Sequence, residues 1–161
     1  MAAKELIISE ELIVTNINVQ GKKEIITRLA SLLYEKGYVT NDYIDAVLER
    51  EKNYPTGLPS KEIGVAIPHA DIKYVKKPGI AIAALNNPVT FSIMGNPDEK
   101  VNVDVVFMLA IKEPKMQIKM LKNLMAIIQK VEVLKKIKKS KHSREIVEII
   151  EKELDKLKKS A

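Results

Sequence analysis

Gly79-Ile80-Ala81-Ile82-Ala83-Ala84-Leu85 is apolar at every position, and residues 103–111 are nearly so. A strand that is apolar at consecutive positions, rather than at alternate ones, is typical of burial on both faces. Helical patterns precede and follow these two strands, at residues 22–52 and 114–157. The sequence therefore predicts an α/β fold, a three-layer α/β/α sandwich around a mixed, partly parallel sheet of about five strands.

Shorter apolar stretches supply the remaining strands of the predicted sheet. They lie at residues 11–16, 63–67 and 89–93. Asn86-Asn87-Pro88 predicts a turn between the strand at 79–85 and the one at 89–93, because Asn and Pro favour turns. Residues 94–98 would then connect to the strand at 103–111.

The helices are predicted from apolar spacing and from capping residues. Residues 22–36 have helical spacing and end at Gly37, and a second helix runs from Thr40 or Asn41 to about Lys52. Pro114 suits the first turn of the next helix. Two further helices are predicted at 131–139 and from Ser143 onward, whereas residues 53–60 contain two prolines and a glycine and predict a loop. The inward residues of the Pro114 helix are predicted to be Ile118, Leu121, Leu124, Met125 and Ile128.

The 161 residues fit one domain, predicted to span residues 1–161. The chain has no cysteine, which excludes disulfides and thiolate chemistry within it. No apolar run reaches the roughly 18–20 residues needed to span a bilayer, and the N-terminus does not have the pattern of a signal peptide. We therefore expect a cytoplasmic protein with no direct membrane insertion.

The positive charge is concentrated in the C-terminal third. Residues 1–111 carry 12 Lys and Arg against 14 Asp and Glu, whereas residues 112–161 carry 15 against 7. Such a run is most often a solvated helical face, but it can also bind nucleic acid, an anionic membrane or an acidic partner. No aromatic residue follows Phe107, so the stacking residues of single-strand binders are missing. We expect no nucleic-acid partner.

Gly64-Val65-Ala66-Ile67-Pro68-His69-Ala70 places one of only two histidines directly after a strand. Pro68 restricts the backbone at this point and biases Ile67 toward the extended region. Ligand sites of α/β sheets gather at the carboxyl ends of strands. A lone histidine is often only a structural or surface residue, but this position favours a functional imidazole.

Several kinds of chemistry at His69 have no support in the sequence. Without cysteine, and with His142 far along the chain, a metal site is not expected. No nucleotide-binding glycine motif and no GxSxG motif is present. What remains is a histidine that acts alone as a nucleophile, a chemistry that suits phosphoryl relay. No cofactor is expected.

Arg50-Glu51, Pro55-Thr56-Gly57-Leu58 and residues 64–70 resemble motifs of one known family. The family is the mannitol/fructose-type superfamily of enzyme IIA domains of the bacterial phosphoenolpyruvate-dependent sugar phosphotransferase system (PTS). Its motif reads roughly R-E, T-G and G-[IV]-A-[IV]-P-H, and the resemblance covers nearly the whole chain. It implies a mixed five-stranded sheet between helices and a histidine that carries a phosphoryl group.

The resemblance implies catalytic roles for particular residues. His69 would be the phosphorylated histidine, and Arg50 would stabilise the phosphoryl oxygens. Alternatively, Arg50 could form a salt bridge with Glu49 or Glu51. Gln117 stands where many members have a second histidine, and its amide can still donate a hydrogen bond. Together with residues 55–59, this departure makes the chain look most like the galactitol-specific branch.

The resemblance also implies partners. His69 would accept phosphate from the phosphocarrier protein HPr and pass it to a IIB component, and through it to a IIC membrane permease. An apolar surface at residues 55–58 and 116–120 could serve both docking events. The alternative is a regulatory module like the nitrogen-related branch, which acts by phosphorylation-dependent protein binding. Asp71 is expected to satisfy its own loop backbone, and His142 is expected to be a solvated surface residue.

Overall fold

A computed structural model describes residues 8–59 and 62–160 and shows a mixed five-stranded sheet between two layers of helices. Short 3-10 turns at Glu10–Leu12 and Ile72–Tyr74 complete the regular structure of this part of the chain. The predicted α/β/α sandwich is confirmed. The elements in chain order are β1 Ile13–Ile17, α1 Lys22–Glu35, α2 Asp42–Asn53, β2 Gly57–Leu58, β3 Gly64–Ala66, β4 Gly79–Ile93, β5 Asn96–Ala110, α3 Ile118–Ile128, α4 Val131–Lys139 and α5 Ser143–Ser160.

The long strands β4 and β5 form an antiparallel hairpin at the centre of the sheet. β1 runs parallel to β4 on one side, and β3 runs parallel to β5 on the other. β2 pairs with β3 antiparallel, and its Gly57 also pairs with Ile93 near the tip of the hairpin. Because β3 and β5 are parallel, their carboxyl ends meet at the same edge of the sheet.

Both faces of β4 are buried over residues 79–85, as the consecutive apolar residues predict. Ile80, Ile82 and Ala84 pack in the core that includes residues of α3, α4 and α5. Ala81, Ala83 and Leu85 alternate with them and pack in the core of α1 and α2. Successive side chains of a strand point to opposite faces, so one strand contributes to both cores.

The prediction of a turn at Asn86-Asn87-Pro88 is wrong. β4 continues from Gly79 to Ile93, and the pairing register with β5 shifts between Ala84 and Val89. These three residues are exposed, and an irregular register tolerates a proline that cannot donate a ladder hydrogen bond. The chain reverses instead at Met94-Gly95, where Gly95 has a φ of +78°. Tight hairpins need a positive φ, which glycine adopts without strain.

The helix predicted from Pro114 begins only at Ile118. Residues 114–117 form turns, because the Gln117 side-chain oxygen accepts the backbone N–H groups of Lys112 and Glu113 and draws this segment together. Ile118 is therefore exposed rather than inward. The buried residues of α3 are Met120, Leu124, Ile127 and Ile128.

The other helices lie close to their predicted bounds. Gly37 follows α1 with a φ of +83°, as expected at a helix C-terminus. Ser143 is the first residue of α5, and its hydroxyl donates to the carbonyl of Ile13 in β1 (3.0 Å). The sequence also predicted a loop where the short strand β2 lies. The strand predicted at residues 11–16 begins only at Ile13, because Glu11 and Leu12 belong to a 3-10 turn.

Candidate functional site

β3 leads the chain to His69 along the edge of β5. A side chain at Gly64 would collide with the backbone carbonyl of Asn102, so glycine lets β3 approach β5 closely. Beyond β3, the Pro68 carbonyl accepts the Leu109 N–H (3.0 Å), and His69 forms a parallel bridge with Leu109. His69 therefore lies at the edge where the carboxyl ends of β3 and β5 meet.

The hydrogen bond of the His69 ring defines its tautomer. Nδ1 lies 2.8 Å from the backbone carbonyl oxygen of Ile67. A carbonyl oxygen can only accept, so Nδ1 carries the proton and donates it. In the neutral ring the lone pair is then on Nε2. His69 is partly exposed at the surface of the protein.

The surroundings of His69 favour the neutral imidazole. Burial lowers its pKa below the usual 6.5, the hydrogen bond to Ile67 opposes this, and the positive charge of Arg50 lowers the pKa further. Burial has the largest effect because a charged ring loses solvation there. At neutral pH the ring is therefore uncharged and keeps a nucleophilic lone pair.

Arg50 lies on the last turn of α2 and is exposed. Its guanidinium carbon is 5.3 Å from the centroid of the Tyr54 ring, a cation–π contact. Arg50 and Tyr54 line a cleft of about 610 Å³, together with Ala70 and Asp71, which directly follow His69. Arg50 thus lines the same cleft as the two residues that follow His69.

The alternative role for Arg50, a salt bridge with Glu49 or Glu51, is not found among the described residues. Glu49 pairs with Lys52 at 3.8 Å. Glu51 turns inward and accepts two hydrogen bonds from Thr56. The guanidinium can therefore turn to an anion in the cleft.

Gln117 is buried at the start of α3. Its side-chain oxygen accepts the N–H groups of Lys112 (2.9 Å) and Glu113 (3.1 Å). Because the oxygen is held there, the donor end of the amide points away from these two residues. Gln117 is thus attached to the segment that follows β5, the strand that His69 meets at Leu109.

Glu51 and Thr56 have no role in the sequence-based prediction, although both belong to the motifs quoted above. Glu51 is 4% exposed and Thr56 is 2% exposed. Glu51 accepts the Thr56 N–H (2.9 Å) and the Thr56 hydroxyl (2.8 Å). One signal was available: Glu51 follows Tyr43 and Val47 at intervals of four, which places a carboxylate on the buried face of α2.

Two further polar residues have the local roles expected for them. Asp71 accepts the backbone N–H of Lys73 (3.0 Å) and caps the turn at Ile72–Tyr74. His142 is exposed just before α5, and its backbone N–H donates to Glu145. Neither observation gives these residues a part in the chemistry of His69.

The predicted docking surface is only partly exposed. Residues 55–57 are buried, and so is Met120. Met116 is 76% exposed and Tyr54 is 65% exposed, and Ile118 and Ile72 are also exposed. These four residues are more exposed than residues 55–57 of the predicted surface.

Residues 8–59 and 62–160 contain no group of three or more His, Cys, Asp or Glu side chains arranged to hold a metal ion. Within the same ranges, no helix combines the length and the apolar character required to cross a membrane.

Comparisons with curated proteins find relatives that include a transcriptional regulator and sugar-specific PTS components. The chain is 44% identical over 93 residues to the transcriptional regulator ManR of Bacillus subtilis, a match that covers 58% of this chain and 13% of ManR. It is 27% identical over 119 residues to the galactitol-specific EIIA component of Escherichia coli K12, which covers 74% of this chain and 79% of that protein. The chain thus matches only a small part of the regulator's length.

A solved structure and a family profile agree with the fold. The complex of enzyme IIA mannitol and phosphorylated enzyme IIB mannitol from Escherichia coli matches with a TM-score of 0.72 at 23% identity, over 88% of this chain and 95% of that one. The profile "Phosphoenolpyruvate-dependent sugar phosphotransferase system, EIIA 2" matches residues 6–153. The chain therefore belongs to the EIIA 2 family of the phosphoenolpyruvate-dependent sugar phosphotransferase system.

Proposed function

We propose that His69 is the phosphoryl acceptor of this PTS component, and that Nε2 is the atom that is phosphorylated. The observation that supports this is the hydrogen bond from Nδ1–H to the Ile67 carbonyl, because it leaves the lone pair of a neutral ring on Nε2. The partly exposed ring lies beside a cleft that contains a guanidinium. A nucleophile and a cation are the minimum that phosphoryl transfer requires.

In the first step, the Nε2 lone pair attacks the phosphorus of phospho-HPr in line with the bond that breaks. A nitrogen–phosphorus bond forms at His69, and the bond from phosphorus to HPr breaks with its electron pair remaining on HPr. The proton stays on Nδ1, so the phosphorylated ring keeps its hydrogen bond to the Ile67 carbonyl oxygen. Catalysis then consists of positioning and of stabilising the phosphoryl oxygens.

Arg50 and Gln117 would stabilise those oxygens. The Arg50 guanidinium can donate two parallel hydrogen bonds to a phosphoryl group. The side-chain oxygen of Gln117 accepts from Lys112 and Glu113, and its amide N–H groups are donors. A neutral amide donor would replace the second histidine of related domains.

In the second step, a nucleophile of a IIB component attacks the same phosphorus and frees His69. The electron pair of the breaking bond returns to Nε2. IIB would in turn serve a IIC membrane permease, so we place this reaction in the cytoplasm. The exposed side chains of Tyr54, Ile72, Met116 and Ile118 offer apolar contacts for both partners. Met is well suited to a surface that two partners use, since its side chain adapts to different shapes.

We propose galactitol as the favoured substrate class of the system. The support is the match to the galactitol-specific EIIA component, which extends over most of both chains. Gln117 in place of histidine agrees with it. The phosphorylated protein should pass its label to a galactitol-type IIB faster than to a mannitol-type IIB, and an equal or reversed preference would contradict this assignment.

The acceptor role is tested by incubation with phosphoenolpyruvate, enzyme I and HPr. The wild-type protein should gain an acid-labile phosphoryl group, and His69→Ala should gain none. His142→Ala is the matched control, since it removes the other histidine from an exposed position, and it should be labelled like wild type. Label that persists in His69→Ala would overturn the proposal.

A regulatory role is the second candidate function, and the 44% identity to part of the regulator ManR favours it. Phosphorylated His69 would then control binding to another protein rather than sugar uptake, as in the nitrogen-related branch. The two functions differ in how the phosphoryl group leaves. A phosphoprotein that no IIB component discharges would support the regulatory function and contradict the transport function.

A further inference from the structure

Glu51 is a buried carboxylate whose hydrogen bonds all go to one neutral residue. Its two oxygens accept the N–H and the hydroxyl of Thr56, at 2.9 and 2.8 Å. A carboxylate buried without an ion pair is costly, so such a residue commonly fixes a local geometry. Here it holds the loop between α2 and β2 against the last turn of the helix.

Thr56 extends that link to the chain segment that carries His69. Its carbonyl accepts the N–H of Ile67 (3.2 Å). This bond continues the β2–β3 ladder by one residue pair, since Gly57 pairs with Ala66 in the same register. The position of Ile67 therefore depends on where Thr56 is held.

Ile67 completes the connection to the imidazole. Its N–H donates to Thr56, and its carbonyl accepts Nδ1–H of His69 (2.8 Å). Pro68, which follows, has no N–H to offer and is itself held by Leu109. An unbroken series of hydrogen bonds thus joins the Glu51 carboxylate to the ring.

We propose that Glu51 is a positioning residue, which fixes the Nδ1–H tautomer and the orientation of the His69 ring through Thr56 and Ile67. Arg50 is the neighbour of Glu51 on α2. One helical turn would therefore position both the guanidinium that lines the cleft and the carboxylate that holds the imidazole. The functional value of this arrangement rests on the proposed role of His69 as phosphoryl acceptor. When the ring is held in one tautomer and one rotamer, the Nε2 lone pair is already oriented toward the donor, and the entropic cost of ordering the ring is avoided in the reaction.

The test compares Glu51→Ala with wild type by ¹⁵N chemical shifts of the His69 ring at a pH where it is neutral. Wild type should show the Nδ1–H tautomer alone, and Glu51→Ala should show a mixture. Amide exchange at Ile67 should become faster, and the rate of labelling by phospho-HPr should fall on the order of tenfold to a hundredfold. Glu51→Gln should stay close to wild type, because its amide can accept from the Thr56 N–H and donate to the hydroxyl.

Glu153→Ala is the matched control. Glu153 is as buried as Glu51, at 4% exposed, but it is bound by Lys130 and Lys156 on the α5 side. It should lose stability without any change in the His69 tautomer. If Glu51→Ala does not fold, Thr56→Val removes only the hydroxyl bond and should move the tautomer ratio part of the way.

The possible failures are distinguishable. A folded Glu51→Ala protein with the wild-type tautomer and labelling rate would overturn the positioning role while leaving the acceptor role intact. A wild-type protein that is not labelled at His69 would overturn the acceptor role, and the tautomer measurement would still decide whether Glu51 controls the ring.

Discussion

Glu51 and Glu153 are two carboxylates with the same 4% exposure in regions with different partners. Glu51 lies on α2 and is held by the neutral groups of Thr56. Glu153 lies on α5 and is held by the ammonium groups of Lys130 (2.9 Å) and Lys156 (3.1 Å). The difference shows in their pKa values, which shift in opposite directions.

Burial raises the pKa of Glu51, and the Thr56 hydrogen bonds and the charges of Lys22 and Arg50 only partly oppose it. Burial also acts to raise the pKa of Glu153, but the hydrogen bonds and charges of Lys130 and Lys156 outweigh it and lower the pKa. The carboxylate of Glu153 thus stabilises the fold in its charged form. That of Glu51 is retained at a cost to stability, beside the residues that surround His69.

The largest effect is expected on the rate of phosphoryl transfer, which we place in the region of α2 and not in that of α5. Arg50→Ala should lower the rate of labelling by phospho-HPr on the order of tenfold to a hundredfold, because a donor to the phosphoryl oxygens is lost. Arg144→Ala is the matched control, since Arg144 is an exposed arginine on α5 that pairs with Glu148 at 3.7 Å. Single-turnover labelling measures both rates, and equal rates would remove Arg50 from the site.

A smaller effect is expected on stability. Glu153→Gln should lower the free energy of unfolding at pH 7 by about 1 kcal/mol, a modest value because both lysines are partly exposed to solvent. Glu51→Gln should change it less, or raise it, since the neutral amide avoids the cost of a buried charge. Urea unfolding measures both values.

The contributions of Glu153 and Glu51 to the stability of the protein should change with pH in opposite directions. The Glu153 pKa is lowered, so its contribution to stability is present above about pH 4.5 and is lost as the pH falls below that value. The Glu51 pKa is raised, so its contribution is present below about pH 4.5 and is lost as the pH rises through the raised value. A larger loss in the free energy of unfolding for Glu51→Gln than for Glu153→Gln at pH 7 would contradict this comparison.

The smallest effect is expected on the pKa of the His69 ring. Burial lowers its pKa below 6.5, so the neutral form of the ring should still predominate at pH 6.5. Arg50→Ala removes a positive charge that lowers this pKa, so the pKa should rise. NMR titration of the His69 ring measures both values. A wild-type pKa above 6.5 would contradict the effect of burial.

The position of His69 in the fold could be predicted because its signals are local. Pro68-His69 after an apolar strand indicated a presented imidazole, and the structure places it at an edge of the sheet. Arg50 at the end of a helix reached the same side. The start of α3 was placed less well, because it depends on side-chain hydrogen bonds that apolar spacing does not reveal. Ile118 was predicted to be inward, but the hydrogen bonds of Gln117 to Lys112 and Glu113 delay the start of α3.

The sequence by itself determined the layers of the fold and the position of the histidine. Apolar periodicity and capping residues act over a few neighbours, and they indicated which strands are buried on both faces and which strand ends at His69. Only the tertiary structure decided the state of the ring. Its tautomer depends on Ile67, Thr56 and Glu51, and its pKa depends on burial and on Arg50. Arg50 and Glu51 lie on α2, whereas Ile67 and His69 follow β3, and only folding brings the two segments together.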